Sequence, residues 1–373
     1  MPGINQNLYE VNYPPIIKNS FIFRLSLKKI IMTQHQFQTK GEFKLENGQS
    51  LHDIGITYHT AGILNEAKDN VIWVCHALTA NSDVADWWPG MVGEGLIFDT
   101  SKYFIVCANF LGSCYGTTGP LSINPKSGES FYHDFPLITI RDMVNAHELL
   151  RKHLGIAKIF MITGGSMGSF QALEWSIMNP SLIEHLVFIG SGAFASPWNI
   201  AINESQRLAI SADPTFREKH EKAGQAGLRA ARSIALLSYR NAATYNKTQQ
   251  DKEDKLENFR AISYQQYQGD KLVKRFNAFA YYCITRAFDT HNAGRKRGGI
   301  AKALAGIQAK TLLIAISSDL LFYPDEIKEI QQYIPNSKYL EIDSLYGHDG
   351  FLIETEQLTK IIKHFLSEKQ YAT

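Results

Sequence analysis

From about residue 52 the chain alternates short apolar runs with stretches whose apolar positions recur at the spacing of one helix face. Short apolar runs bounded by turn residues read as buried strands, and the recurrent stretches read as helices packed on them. Residues 54–59, 71–75, 103–108, 158–163 and 186–189 are predicted strands. Residues 141–154 carry Met143, Val144, Ala146, Leu149 and Leu150 at helical spacing. Residues 165–178 hold Phe170, Ala172, Leu173, Trp175 and Ile177, too dense for a surface loop, and form a second predicted helix.

The rhythm then breaks. Residues 194–299 show no strand-like alternation and carry helix formers and charges, with helices predicted over 217–231, 252–260 and 265–279. Strand signals resume at 311–316 and 338–342, and an amphipathic stretch runs over 356–365. The economical reading is an α/β core made of residues 35–193 and 300–373, its mostly parallel sheet flanked by helices, with residues 194–299 inserted as a helical lid. Such insertions cover the site at the carboxyl ends of the strands.

Residues 1–34 read as an N-terminal extension. The lysines of the patch at 21–31 follow the apolar residues and no small-residue cleavage site comes after them, unlike a secretory signal. The expectation is a natural start at Met32, with residues 1–31 a mis-assigned start or a disordered tail. No apolar run reaches the roughly 18–20 residues needed to span a bilayer. A net charge of +2 with no dense Lys/Arg stripe argues against a nucleic-acid partner. Cys75, Cys107, Cys114 and Cys283 have no metal-ligand spacing, so no metal is expected. Cys75 and Cys107 lie in apolar runs and read as buried, reduced thiols, which fits a cytoplasmic setting.

Gly164-Gly165-Ser166-Met167-Gly168 matches G-x-S-x-G between an apolar strand and a helix. A strand turning sharply into a helix strains its middle residue, and only small neighbours clear the crowding. The hydroxyl is thereby lifted above the sheet near a helix N-terminus. A serine hydroxyl needs a base, and the base an orienting acid. On the α/β-hydrolase fold that this elbow indicates, the chain order is Ser, then Asp or Glu, then His. Asp319 follows the strand at 311–316, and His348 follows the strand at 338–342 in a glycine-flanked loop. Asp325 follows Pro324 and reads as a helix N-terminal residue, while Asp343 is a second rival acid. The predicted triad is Ser166, Asp319 and His348. The backbone N–H groups of Met167 and Leu78 are the predicted oxyanion donors, Leu78 because His76-Ala77-Leu78-Thr79 follows an early strand. His76 precedes the nucleophile and reads as structural.

Several segments together resemble the homoserine O-acetyltransferase family. They are His76-Ala-Leu-Thr79, the stretch from Asn109 to Pro120, the stretch from Phe135 to Asp142, the elbow with Gln171-Ala-Leu-Glu-Trp175, and Gly347-His-Asp-Gly-Phe351. The resemblance runs from about residue 35 to 368. It implies transfer of an acetyl group from acetyl-CoA, a co-substrate rather than a bound cofactor, to the hydroxyl of L-homoserine through an acyl-serine. It also implies that Arg232 holds the substrate carboxylate, that Tyr239 assists, that Asp349 takes the amino group, and that two copies pair through the lid helices. A zwitterionic amino acid independently calls for one cation and one anion.

Two departures bear on the donor. Ser169-Phe170 and Gly112-Ser113 replace Gly-Met and Gly-Gly pairs common in the family, and both are expected to flank the acyl pocket. The alternatives on the same scaffold are a succinyl donor, L-serine as acceptor, or simple ester hydrolysis. A succinyl carboxylate would want a cation, and none stands out between residues 109 and 124. The basic run Gly294-Arg-Lys-Arg-Gly-Gly299 reads as a solvated loop, with contact to CoA phosphates as the rival. The late start at Met32 predicts that intact-mass measurement of the natively expressed protein finds no species retaining residues 1–31; finding one rules that start out.

Overall fold

The computed structural model describes residues 32–368. Residues 1–31, where the tail and late start were expected, lie outside the described residues. Thr33 and Gln34, assigned from sequence to the extension, instead begin strand β1 (Thr33–Gln38). β2 (Glu42–Lys44) and β3 (Ser50–His52) form a small separate antiparallel ribbon. The main sheet adds β4 (Gly55–Ala61), β5 (Val71–Cys75), β6 (Phe104–Ala108), β7 (Ile159–Gly165), β8 (Ile183–Ile189), β9 (Lys310–Ile316) and β10 (Ser337–Ile342). Its order is β1-β4-β6-β5-β7-β8-β9-β10. β1 and β6 lie antiparallel to β4, and the remaining neighbours are parallel. All residues of β5 and β9 are buried, as expected of parallel strands covered on both faces.

The helices follow from caps and apolar faces. α1 (Val84–Trp87) is a single turn. α2 (Ile140–His153) opens on a capping box between Thr139 and Asp142. α3 (Met167–Met178) starts directly at the elbow and is buried through Ser176. After β9 come α10 (Pro324–Gln331), α11 (Gly350–Ile353) and α12 (Thr355–Ser367), the last burying Leu358, Ile362 and Phe365 along one face. Among the described residues no helix is long and apolar enough to cross a membrane.

Between β8 and β9 lie α4 (Pro197–Ser211), α5 (Gln225–Tyr239), α6 (Ala242–Gln249), α7 (Arg260–Val273), α8 (Ala278–Asp289) and α9 (Ile300–Ala305). This region departs most from the sequence pattern. The helix expected over 217–231 begins only at Gln225, after Gly224 in the left-handed conformation, and runs on to Tyr239. Residues 252–259 are not helical, because their dense charges leave no apolar face to bury, and Asp251 instead accepts the Arg260 N–H that opens α7. The helix expected over 265–279 is two helices, since the Asn277 side chain accepts the Ala280 N–H and starts α8 afresh.

The basic run is a solvated loop only in part: Lys296 is exposed, but its two arginines are paired. Arg295 Nη2 pairs with Glu46 Oε2 at 2.8 Å, and Arg297 Nη1 donates to Glu174 Oε2 at 2.9 Å. Arg141 on α2 joins the two carboxylates, reaching Glu46 Oε1 at 2.8 Å and Glu174 Oε1 at 2.7 Å. Spacing alone could not show this, because the acids stand far away in sequence. Burial by itself would raise both carboxyl pKa values, yet the arginine hydrogen bonds and charges hold Glu46 and Glu174 below the ordinary 4.5.

Glu174 is 2% exposed, so Glu174→Gln removes the buried carboxylate that Arg141 and Arg297 share, leaves Arg141 with Glu46 alone, and is expected to destabilise the fold by about 2–4 kcal/mol in urea unfolding. The lowered carboxyl pKa values make this stabilisation complete above the ordinary value of 4.5 and lost as the pH falls through the lower folded values. The difference between the wild type and Glu174→Gln should therefore shrink in acid.

Candidate active site

The G-x-S-x-G spacing is explained by what surrounds it. Ser166 has φ 57° and ψ −127°, a conformation that costs a non-glycine residue about 1–3 kcal/mol. A Cβ at Gly164 or Gly168 would collide with the Cys75 carbonyl at the end of β5, and one at Gly165 with the Phe351 ring. The elbow is then locked by hydrogen bonds. Ser166 N–H donates to Ile189 O at 3.0 Å, and Ser191 Oγ to Ser166 O at 2.9 Å. Ser169 Oγ donates to Gly164 O at 2.6 Å and accepts the Ile189 N–H at 2.8 Å.

His348 Nδ1 lies 2.7 Å from Asp319 Oδ2, and both side chains are buried. Asp319 is fixed in turn, its Oδ1 accepting the N–H groups of Leu321 (2.8 Å) and Phe322 (3.1 Å). The rival acids are elsewhere: Asp325 lies in the first turn of α10, and Asp343 meets Ser317 Oγ at the surface. The His348 ring is enclosed by Tyr239, Phe322 and Phe351. Its Nε2 is buried and has no hydrogen-bond partner among the described residues. Burial opposes protonation of His348, but the Asp319 charge and hydrogen bond outweigh it and raise the pKa above 6.5, with Asp349 adding to the effect.

Ser166 and His348 open into a cavity of about 580 Å³ that Leu78, Arg232, Tyr239 and Asp349 also line. Met167 lies beneath, fully buried as the first residue of α3, where an N–H has no partner within its own helix. Gln171, one turn further along the same helix, donates to Met167 O (3.3 Å) and His76 O (3.4 Å), tying α3 to the loop that carries Leu78. His76 stacks on Phe110, bonds to Ala77 O and is pushed down to about 4 by burial, so it stays neutral and structural.

The guanidinium of Arg232 sits 5.6 Å from the Tyr239 ring centre. Asp349 is already engaged, its Oδ2 lying 3.0 Å from Arg240 Nε. The C-terminal end of α5 presses on the histidine loop: a Cβ at Gly347, which has φ +64°, would come within 2.9 Å of the Arg240 and Asn241 backbone. Arg240 was legible only as a neighbour of Tyr239, because a pairing with Asp349 requires the fold. Lys271 and Arg275, also missed, line the cavity too; their helical four-residue spacing was the available signal. Among the described residues no group of three or more His, Cys, Asp and Glu could hold a metal ion.

Neither departure reaches this cavity. Ser169 is spent on the elbow, Phe170 packs against Phe288, His291 and Phe322, and Gly112 and Ser113 face other residues. The cavity's cations come from the insertion and not from residues 109–124.

The chain matches the alpha/beta hydrolase fold family over residues 70–355. A homoserine O-acetyltransferase of Cyclobacterium marinum is 47% identical over 339 residues, covering 91% of this chain and 97% of that protein. The solved homoserine O-acetyltransferase from Staphylococcus aureus is 26% identical, with a TM-score of 0.77 over 92% of this chain and 98% of that one. An acetylester hydrolase from Corynebacterium glutamicum is 25% identical, with a TM-score of 0.81 over 90% of this chain and 96% of that one.

The buried pair predicts a titration. By histidine NMR, His348 should titrate above 6.5, and Asp319→Asn should bring it down, since burial then acts without the opposing charge. An unchanged midpoint in Asp319→Asn would refute the coupling.

Proposed function

This chain belongs to the homoserine O-acetyltransferase family of the α/β-hydrolase fold, and from that premise we propose a ping-pong acetyl transfer from acetyl-CoA to L-homoserine, an early step of methionine synthesis. The observation that carries the reading is one cavity lined by Ser166 and His348 together with a cation and an anion, Arg232 and Asp349. A hydrolase needs only the first two. A zwitterionic acceptor needs all four.

Ser166 Oγ attacks the thioester carbonyl while His348 Nε2 takes its proton. The N–H groups of Leu78 and Met167 hold the oxyanion. Collapse breaks the carbon–sulfur bond, and His348 returns the proton to the departing CoA thiolate. Arg232 then holds the homoserine carboxylate, with Tyr239 beneath its guanidinium, and Asp349 Oδ1 takes the ammonium while Oδ2 stays with Arg240. His348 accepts the proton of the homoserine hydroxyl as that oxygen attacks the acetyl carbon. The second collapse breaks the bond to Ser166 Oγ, which recovers its proton as O-acetyl-L-homoserine leaves.

The helices of 194–299 act as the lid, supported by Arg232 and Tyr239 reaching the cavity from α5. Exposed Leu208, Leu237 and Ile262 on its helices support pairing of two copies through this region. Four unpaired cysteines support a cytoplasmic setting.

Release of free CoA thiol tests the proposal. It should require both acetyl-CoA and L-homoserine and fall at least about a thousandfold in Ser166→Ala. Release independent of any acceptor would make the protein a hydrolase. Release with succinyl-CoA or L-serine instead would keep the mechanism and change the substrate.

A further inference from the structure

Acetyl-CoA brings a diphosphate and a 3′-phosphate to the site, and the residues assigned so far offer them nothing. In the basic run, Arg295 and Arg297 are committed to Glu46 and Glu174. Yet the cavity carries charge beyond the acceptor's needs. Its lining includes the cations Arg232, Lys271 and Arg275 and the carboxylates Asp86 and Asp349. Asp349 is already paired with Arg240. Among the described residues neither Lys271 nor Arg275 forms an ion pair, and both are exposed, which places them at the rim and not in the depth of the cavity.

Lys271 lies in the last turn of α7, and Arg275 lies two residues beyond its end, in the turn that follows. Arg275 is held in place: its Nη1 donates to Thr79 O and to the Tyr115 hydroxyl. Thr79 follows Leu78, so this guanidinium is bolted to the loop proposed to bind the oxyanion. A guanidinium has five N–H donors, and the others remain available to an anion.

We propose that Lys271 and Arg275 form the binding site for the phosphates of coenzyme A at the mouth of the cavity, with the pantetheine arm running inward to Ser166. The assignment rests on the acetyl-CoA reading above and adds to it the residues that select a nucleotide-bearing donor. Because Arg275 contacts the loop of Leu78, binding of phosphate there also steadies the oxyanion site.

The experiment combines binding and kinetics on the full chain. CoA binding to wild type, Lys271→Gln, Arg275→Gln and Arg275→Lys is measured by calorimetry at low and high salt. The KM for acetyl-CoA and for S-acetylpantetheine, which lacks phosphates, is measured with saturating L-homoserine. Each Gln variant is expected to weaken CoA binding and raise the acetyl-CoA KM by about three- to tenfold, less so at high salt. Arg275→Lys should recover most of the loss, and in Lys271→Gln the S-acetylpantetheine KM should move less than about twofold. The acetyl group has no carboxylate, so this pattern assigns the cations to phosphate and not to an anionic acyl chain. Equal losses with both thioesters in Lys271→Gln, or CoA binding unchanged in both Gln variants, would overturn the site. Among the described residues the Lys271 side chain forms no hydrogen bond or ion pair, so its variant tests the site even if Arg275→Gln disturbs the loop. If CoA binding responds as expected but no acetyl reaches homoserine, the site stands and the proposed acceptor fails.

Discussion

Everything at this site hangs on how closely β7 and α3 approach the end of β5. Gly164 and Gly168 leave no room for a Cβ because the Cys75 carbonyl fills that space from the neighbouring strand. This closeness forces Ser166 to φ 57°, where its hydroxyl stands at the mouth of the sheet and at the start of a helix. It also fixes the loop after β5, since His76 and Leu78 leave the same strand end. The strain of a few kcal/mol is offset by the buried bonds of Ser166, Ser169 and Ser191 with β8 and its following turn.

A second constraint links His348 to the helices between β8 and β9. His348 takes its orientation from Asp319, and Asp319 takes its own from two backbone amides after β9. The loop that carries His348 is pinned from above by the end of α5, which also bears Arg232 and Tyr239. Thr244 on α6 donates to Leu345 O in the same loop. Movement of these helices would therefore displace the base together with the residues assigned to the acceptor. His348, Arg232 and Tyr239 are in this way held as one mechanical unit.

The insertion is tied to the core at its other end by the arginine–glutamate cluster. Glu174 belongs to α3, the helix that begins at the elbow, and Arg297 precedes α9. Replacing such a cluster by apolar side chains is often neutral in energy, so its value lies in fixing one geometry. Here it ties the segment before α9 to α2 and α3.

The sequence by itself determined the alternation of strands and helices, the elbow, and the pairing order that pointed to Asp319 and His348. Those features are local: a buried parallel strand is apolar throughout, and an elbow needs glycines at fixed offsets. The helix limits within 194–299 were less legible, because caps such as Gly224 and Asn277 decide them and a charged run like 252–259 resembles a helix in composition. Only the tertiary structure decided the charge partners. Arg240 with Asp349, Arg295 and Arg297 with Glu46 and Glu174, and Arg275 at the loop of Thr79 all join residues far apart in the chain. A side-chain charge carries no local mark of its partner. The fold chooses it, by which surfaces the core brings together.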